Sequence, residues 1–278
     1  MDRAPRRVVA ITGASAGIGA ACASLLARRG AFLVLSARRI DQLEQVAAPL
    51  RETGARVETI QADVTRPEDM QALVNRARDA FGRLDVLICN AGIGYHGAID
   101  GTSADVMRRL MDVNYMGTFH AIGAAMPVFR SQGSGHILIV SSIVGQRGIG
   151  FSSAYSATKA AQVGLAEGLR AELRGTGIHV SLVIPVSTRT EFHEAMRRDF
   201  GHAVSGRGPK QDASVVAGAI ADCIEHPRAE VHPHKLSRVL VILNALAPAF
   251  TDRRVQKYGR GDGKSPSPQK TPTTRNST

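Results

Sequence analysis

The sequence predicts a doubly wound α/β fold: a parallel sheet with helices on both faces, three layers in a single domain. Short apolar runs alternate with longer segments of helical periodicity along most of the chain. The connections between them are short, which implies right-handed βαβ crossovers. At 278 residues and 44% apolar, the chain can build one large core without disulfide or metal staples.

Val8 to Ile11 is the first expected strand, followed at once by Thr12-Gly13-Ala14-Ser15-Ala16-Gly17-Ile18-Gly19 and a helical pattern that runs to a capping Gly30. Strand, glycine-rich turn and helix together let backbone N–H groups approach a pyrophosphate at the helix N-terminus. The spacing is GxxxGxG rather than the commoner GxGxxG. Phe32 to Ser36 is the second strand. Where a dinucleotide fold often places an acid for the ribose 2′-OH stands Ala37, followed by Arg38 and Arg39. Loss of the acid and gain of a guanidinium favour a 2′-phosphate, hence NADP. A helix is expected from Ile40 to Thr53.

Val57 to Ala62 is the third strand, ending in Asp63-Val64, and Pro67 opens a helix that runs to Gly82. Leu84 to Cys89 is the fourth strand, ending in Asn90-Ala91-Gly92. Ser103 to Arg130 reads as one long helix with Asn114 near its middle. His136 to Ser141 is the fifth strand, Ser153 to Leu173 the next helix, and His179 to Ile184 the sixth strand, ending at Pro185. The pattern weakens from Ser187 to Gln211, where glycines and a proline suggest a lid or substrate loop. Asp212 is expected to cap a helix to Glu225. Leu236 to Phe250 reads as the most apolar helix. Residues 1–258 are thus expected to form one domain, and 259–278 a disordered basic Ser/Pro/Thr tail.

Cys22, Cys89 and Cys223 show no disulfide or metal spacing, which suits a reducing, cytoplasmic compartment. His226, His232 and His234 lie close together but lack a supporting acid or cysteine, so no metal is expected. No signal peptide and no membrane span are expected. Formal charge is +11, and seven Lys/Arg against two Asp fall within Thr251–Thr278. Such a balance can mean nucleic acid, anionic lipid or phosphorylated ligands. The basic tail has no interleaved aromatics except Tyr258, so nucleic acid is not expected.

Tyr155 and Lys159 are four apart, which on a helix puts both side chains on one face. A phenol with a reference pKa of about 10 is protonated at neutral pH, and a fixed ammonium nearby is expected to lower that value. The pair can then act as a general acid/base. Ser142, at the end of an apolar run, can hydrogen-bond the same substrate oxygen.

These pieces, in this order, resemble the short-chain dehydrogenase/reductase family in its extended-Rossmann form. The resemblance covers Arg6 to Glu225 and rests on the glycine turn, Asp63-Val64, Asn90-Ala91-Gly92, Asn114, Ser142, Tyr155-xxx-Lys159, and Pro185 with Thr190. It implies that Tyr155 is the acid in carbonyl reduction and the base in alcohol oxidation, and that Ser142 holds the substrate oxygen. Lys159 would hydrogen-bond the nicotinamide ribose and depress the Tyr155 pKa. Asn114 would hold a helix kink and a water that relays protons to Lys159. Thr12, Gly13, Ser15, Gly17, Ile18 and Gly19 would line the cofactor phosphates and ribose. Arg38 would meet the 2′-phosphate, Asp63 and Val64 the adenine, Asn90 and Gly92 the ribose, and Pro185 and Thr190 the carboxamide side. Two departures stand out: Val186 replaces the usual glycine after Pro185, and Ala16 replaces a basic residue common in NADP-preferring members.

The resulting expectation is an NADP(H)-dependent oxidoreductase for a carbonyl/secondary alcohol pair. The competing class is a regulatory or nucleic-acid-associated protein that keeps the fold without turnover; such a protein has no need of the four residues together. Wall candidates Ile93, Tyr95, Ile143, Val144, Ile149, Phe151 and the 187–211 segment are mainly apolar, which suits a hydrophobic substrate. A homodimer or homotetramer is expected through the helices 103–130 and 153–173, where Ala160, Ala161, Gly164 and Gly168 permit close packing. Segment 236–260 can cover the pocket, join subunits or touch a membrane peripherally.

Overall fold

The computed structural model describes residues 6–200 and 210–259. Seven parallel strands form the sheet: β1 (Val8–Thr12), β2 (Phe32–Ala37), β3 (Val57–Gln61), β4 (Val86–Cys89), β5 (Gly135–Val140), β6 (Ile178–Val183) and β9 (Glu230–Val231). Their spatial order is β3-β2-β1-β4-β5-β6-β9. β1 pairs with β2 on one side (Val8↔Phe32) and with β4 on the other (Val9↔Val86). The strand order reverses at β1, and a crevice opens beyond the C-terminal ends of β1 and β4.

The strands are buried on both faces and read as continuous apolar runs: VVAIT in β1 and VLIC in β4 are wholly buried. Helices α3 (Pro67–Phe81), α5 (Gly117–Gln132) and α7 (Ser153–Glu172) cover one face, over Leu87, Ile137 and Ile139. Helices α1 (Gly17–Arg28), α2 (Ile40–Glu52) and α9 (Ala213–Glu225) cover the other, over Leu33, Ile88 and Leu138. Each such side chain contributes roughly 1.5–3 kcal/mol when fully buried. All three cysteines are buried and unbridged.

Four expectations change. The helix expected over 103–130 is two helices, α4 (Ala104–Met111) and α5, joined by a π-helical turn at Asp112–Met116 that contains Asn114. The expected loop 187–211 holds two short paired strands, β7 (Thr188–Arg189) and β8 (Gln211–Asp212), and helix α8 (Phe192–Phe200). The helix expected over 236–250 ends early: α10 (Lys235–Leu246) stops, and Pro248 opens α11 (Pro248–Gly259). Proline cannot supply the N–H that would continue the first helix, and it disfavours helical backbone at Ala247. Asp212 sits at the N-cap of α9 without a side-chain capping bond; it lies 3.5 Å from Arg189 instead. Strand β9 is an addition that the pattern did not announce. The tail expected from residue 259 onward lies outside the described residues, except for Gly259 itself.

Candidate active site

The C-terminal ends of the strands deliver the sequence-singled residues to one cavity of about 410 Å³. It begins at the glycine turn after β1. Thr12 stands at the end of β1 and braces the neighbouring strand: its Oγ1 accepts from the backbone N–H of Asn90 (3.0 Å) and Ala91 (3.1 Å). Asn90 Nδ2 donates back to the carbonyls of Thr12 and Gly13, both at 3.0 Å. Gly13 has φ +66°, and a Cβ there would lie 2.8 Å from Ala91 Cα. A Cβ on Gly19 would lie 2.4 Å from the Gly13 carbonyl oxygen. The turn therefore presses backbone against backbone, where only glycine fits. The N-cap position of α1, Ala16, makes no side-chain cap bond.

Gly13, Ser15, Gly17 and Ile18 line the cavity; Thr12 and Gly19 support it from behind. Arg38 and Arg39 line it next to Ala37, and both are exposed with no ion pair among the described residues. Asp63 and Val64 form the adjoining wall, where Asp63 Oδ1 accepts from Thr65 N (3.0 Å) and Thr65 Oγ1 (2.8 Å). Asn90 and Gly92 continue the wall. Ser142, Tyr155, Lys159, Pro185, Val186 and Thr190 line the same cavity. Thr190 adjoins the glycine turn: its Cγ2 lies 3.1 Å from where a Gly17 Cβ would stand.

Asn114 does not line the cavity; it sits fully buried behind it. The π-helical turn aims its amide at the end of β4. Ile93 N–H donates to Asn114 Oδ1 (2.8 Å), and Nδ2 donates to Ile93 O and Thr158 Oγ1, both at 2.9 Å. Thr158 Oγ1 donates in turn to the carbonyl of Tyr155 at 2.8 Å. Asn114 thus fixes the strand end and the helix that carries Tyr155.

Gln162 is a member of this network that sequence reasoning passed over. It is fully buried. Its Nε2 donates to Asn114 O (2.7 Å) and Thr118 Oγ1 (2.8 Å), while Oε1 accepts from Lys159 Nζ (3.0 Å). The second partner of Nζ is Val140 O at 3.0 Å. The side-chain amide of Gln162 bridges the Asn114 carbonyl and Lys159, the two groups between which a relaying water was expected. A polar residue three after Lys159 on the same helix face was the available signal.

The electrostatics correct one expectation. Burial raises the Tyr155 pKa, and the hydrogen bond with Ser142 opposes the rise. The Lys159 ammonium does not reverse it: Nζ lies 5.9 Å from the phenol ring centroid and is engaged with Val140 and Gln162. Burial also lowers Lys159 from 10.5 to about 7. Both shifts have one cause, since a poorly solvated site penalises either charge. For Lys159 the unfolded chain binds the extra proton between pH 7 and 10.5, so its contribution to stability rises with pH through that window and is lost as pH falls through 7. The melting temperature of the wild type minus that of Lys159→Met is therefore expected to grow from pH 7 toward 10.5. A flat difference would contradict the burial argument.

Helix α8 covers the substrate side. Phe192 lies 5.9 Å from the Tyr155 ring, and Met196 lines the same wall. Ile93, Tyr95, Val144 and Ile149 line the cavity as expected, whereas Ile143 and Phe151 do not. Ile143 packs against the core, and Phe151, at φ +59°, turns its carbonyl to Gly97 N–H (2.7 Å). His96 and Ser152 are further lining residues, 3.3 Å apart between Nδ1 and Oγ. Among the described residues no group of three His, Cys, Asp or Glu is placed to hold a metal ion. His232 serves the local structure, between Ser237 Oγ and Glu230 Oε2 at 3.1 Å each.

Comparison with known proteins agrees with this geometry. Residues 7–201 match the family model for short chain dehydrogenase. An uncharacterized oxidoreductase of Listeria innocua is 35% identical over 223 residues, 77% of this chain and 90% of its own. Dehydrogenase/reductase SDR family member 7B of Bos taurus is 32% identical over 272 residues, 93% of this chain and 83% of its own. Among solved structures, a short chain dehydrogenase/reductase from Burkholderia phymatum in complex with NAD superimposes with a TM-score of 0.82 at 29% identity, covering 90% of this chain and 97% of that one. A short-chain dehydrogenase from Sphingobium yanoikuyae in complex with NADPH gives 0.76 at 34% identity, covering 88% and 95%. With residues 7–201 matching the family model and both relatives covered over more than two thirds of their length, the chain belongs to the short chain dehydrogenase family.

Proposed function

We propose that the protein is an NADP(H)-dependent oxidoreductase that interconverts a hydrophobic carbonyl compound and its secondary alcohol. The coarser statement, an NAD(P)-dependent short-chain oxidoreductase, follows from the family. One observation carries the finer reading: Ser142, Tyr155 and Lys159 line the same cavity as the glycine turn and Arg38. Residues 1–258 form the catalytic unit in this reading, with 187–211 as its substrate segment.

The residues present fit a nicotinamide dinucleotide. The glycine turn, closed backbone on backbone at Gly13 and Gly19, stands at the start of α1 as a pyrophosphate requires. Arg38 and Arg39, which pair with no carboxylate among the described residues, supply guanidinium groups for a 2′-phosphate. Asp63 and Val64 bound the adenine side, Asn90 and Gly92 the ribose, and Pro185 and Thr190 the carboxamide. A Cβ on Gly92 would come 3.6 Å from Lys159 Nζ, so that ammonium reaches the ribose wall.

When bound, the cofactor supplies or takes up the hydride. Ser142 Oγ donates to the substrate oxygen and holds it next to Tyr155. The phenol of Tyr155 gives its proton to that oxygen in reduction and takes it back in oxidation. Burial keeps the phenol protonated at neutral pH, which suits the reductive direction. Lys159, held by Val140 and Gln162, stabilises the phenolate while the proton is away. Asn114 acts through the backbone it clamps and is a positioning residue. Phe192, Met196, Tyr95 and Ile149 present an apolar wall to the substrate and exclude water.

The test is a panel of apolar ketones and secondary alcohols, followed by NADPH absorbance. Oxidation or reduction of at least one pair, faster with NADP(H) than with NAD(H), is expected. A panel with no turnover while NADPH binds tightly would favour the regulatory reading.

The assembly proposed is a homodimer across α5 and α7, extensible to a tetramer. Ala157, Ala160, Gly164 and Gly168 form an exposed small-residue face on α7, and a Cβ on either glycine would meet nothing within 4 Å. Phe119 of α5 is exposed as well. Static light scattering is expected to give at least twice the 29.5 kDa chain mass, and Gly164→Glu to lower it. A wild type that scatters as a monomer would refute the assignment.

A further inference from the structure

The hairpin of α10 and α11 is built with its polar side inward. Ser237 and Thr251 are almost fully buried. Ser237 Oγ meets His232 Nδ1 at 3.1 Å and donates to His234 O at 2.7 Å. Thr251 Oγ1 donates to Asn244 Oδ1 at 2.9 Å, tying the two helices together. Asp252 pairs with Arg147, which pins α11 to the body of the protein. The apolar side faces outward: Leu236, Val239, Ile242, Leu243, Leu246 and Phe250 are 42–78% exposed. Positions 236, 239, 243 and 246 recur at three and four along α10, so they share one face. None of them lines the active-site cavity, which removes the pocket-cover expectation for this segment.

The charge around that face has one sign. Segment 235–259 carries five Lys/Arg and a single acid, Asp252, which Arg147 occupies. Arg238, Arg253 and Arg254 are exposed, and the Arg254 guanidinium lies 5.2 Å from the Phe250 ring centroid. The sequence beyond it adds four more Lys/Arg against one Asp. An isologous contact between two copies would bring equal cationic rims together. An anionic bilayer offers the opposite charge to the rim and hydrocarbon to the apolar side chains. A helix of twelve residues is about 18 Å long, short of a bilayer core of about 30 Å, and no helix of the described residues can cross a membrane.

We propose that the α10–α11 hairpin docks the protein flat on an anionic membrane surface, with the outward face of α10 in the interfacial layer and Arg238, Arg253 and Arg254 on the headgroups. The full chain is tested by flotation with phosphatidylserine/phosphatidylcholine vesicles and with phosphatidylcholine vesicles. Two variants accompany it: Val239→Ser/Leu243→Ser/Leu246→Ser, and Arg253→Glu/Arg254→Glu. All these positions are exposed, and unchanged melting temperatures verify that the fold survives. The wild type is expected to float with the anionic vesicles and not with the neutral ones, and each variant to stay at the bottom. A wild type that does not float, or a serine variant that floats as well as the wild type, overturns the proposal. So does a serine variant that halves the mass by light scattering, because the face is then a contact between copies.

Discussion

Tyr155→Phe is expected to lower turnover by roughly 10²–10⁴-fold, the usual worth of general acid/base help, while NADPH binding stays near wild type. In the proposed mechanism the Tyr155 phenol, hydrogen-bonded with Ser142, transfers the proton to the substrate oxygen. In the proposed function the cofactor would be held elsewhere, by the glycine turn, the Arg38 side and the Gly92 wall. Removing one oxygen leaves the ring that packs against Phe192, so the pocket keeps its shape. Steady-state rates and calorimetric NADPH titration, on the same preparation, separate chemistry from binding. Turnover within a few-fold of the wild type would remove Tyr155 from the mechanism.

Cofactor choice is expected to invert in Ala37→Asp/Arg38→Leu. Loss of a hydrogen bond to a charged group costs about 1.5–3 kcal/mol, roughly 10- to 150-fold in kcat/KM with NADPH. The new carboxylate at the end of β2 also repels the 2′-phosphate and accepts from a free 2′-OH, so NADH is expected to gain. Both positions line the cavity, and Arg38 is exposed, so the pair tests recognition more than folding. The NADPH/NADH ratio of kcat/KM in wild type and variant is the readout. An unchanged ratio would assign the 2′-phosphate to other groups.

The sheet and the cavity ends were legible because they rest on local patterns. Val8–Thr12 followed by glycines, and Tyr155 one helical turn from Lys159, carry their geometry in their spacing. What escaped depends on tertiary context. The two-residue strand β9 exists through its pairing with β6, at Leu182↔Glu230 and Val183↔Val231, and has no period of its own. Helix α8 was readable in part: Phe192, Met196 and Phe200 are four apart, but the glycines downstream drew the segment toward a loop. Pro248 marked the break between α10 and α11, yet Pro49 and Pro127 lie inside helices α2 and α5, so proline alone did not decide. The burial around Tyr155 and Lys159, which raises the one pKa and lowers the other, cannot be weighed from spacing. The bridge through Gln162 depends on the π-helical turn that brings the Asn114 carbonyl within 2.7 Å.

The most direct measurement of the proposed reaction follows an isotope. NADPH carrying deuterium at both C4 positions of the nicotinamide is supplied with a ketone from the panel, and the alcohol is examined by mass spectrometry and proton NMR. Deuterium on the carbinol carbon of the product is expected with the wild type, and little product of any kind with Tyr155→Phe. An alcohol formed without the label, or formed equally well by the Tyr155→Phe variant, would contradict the account.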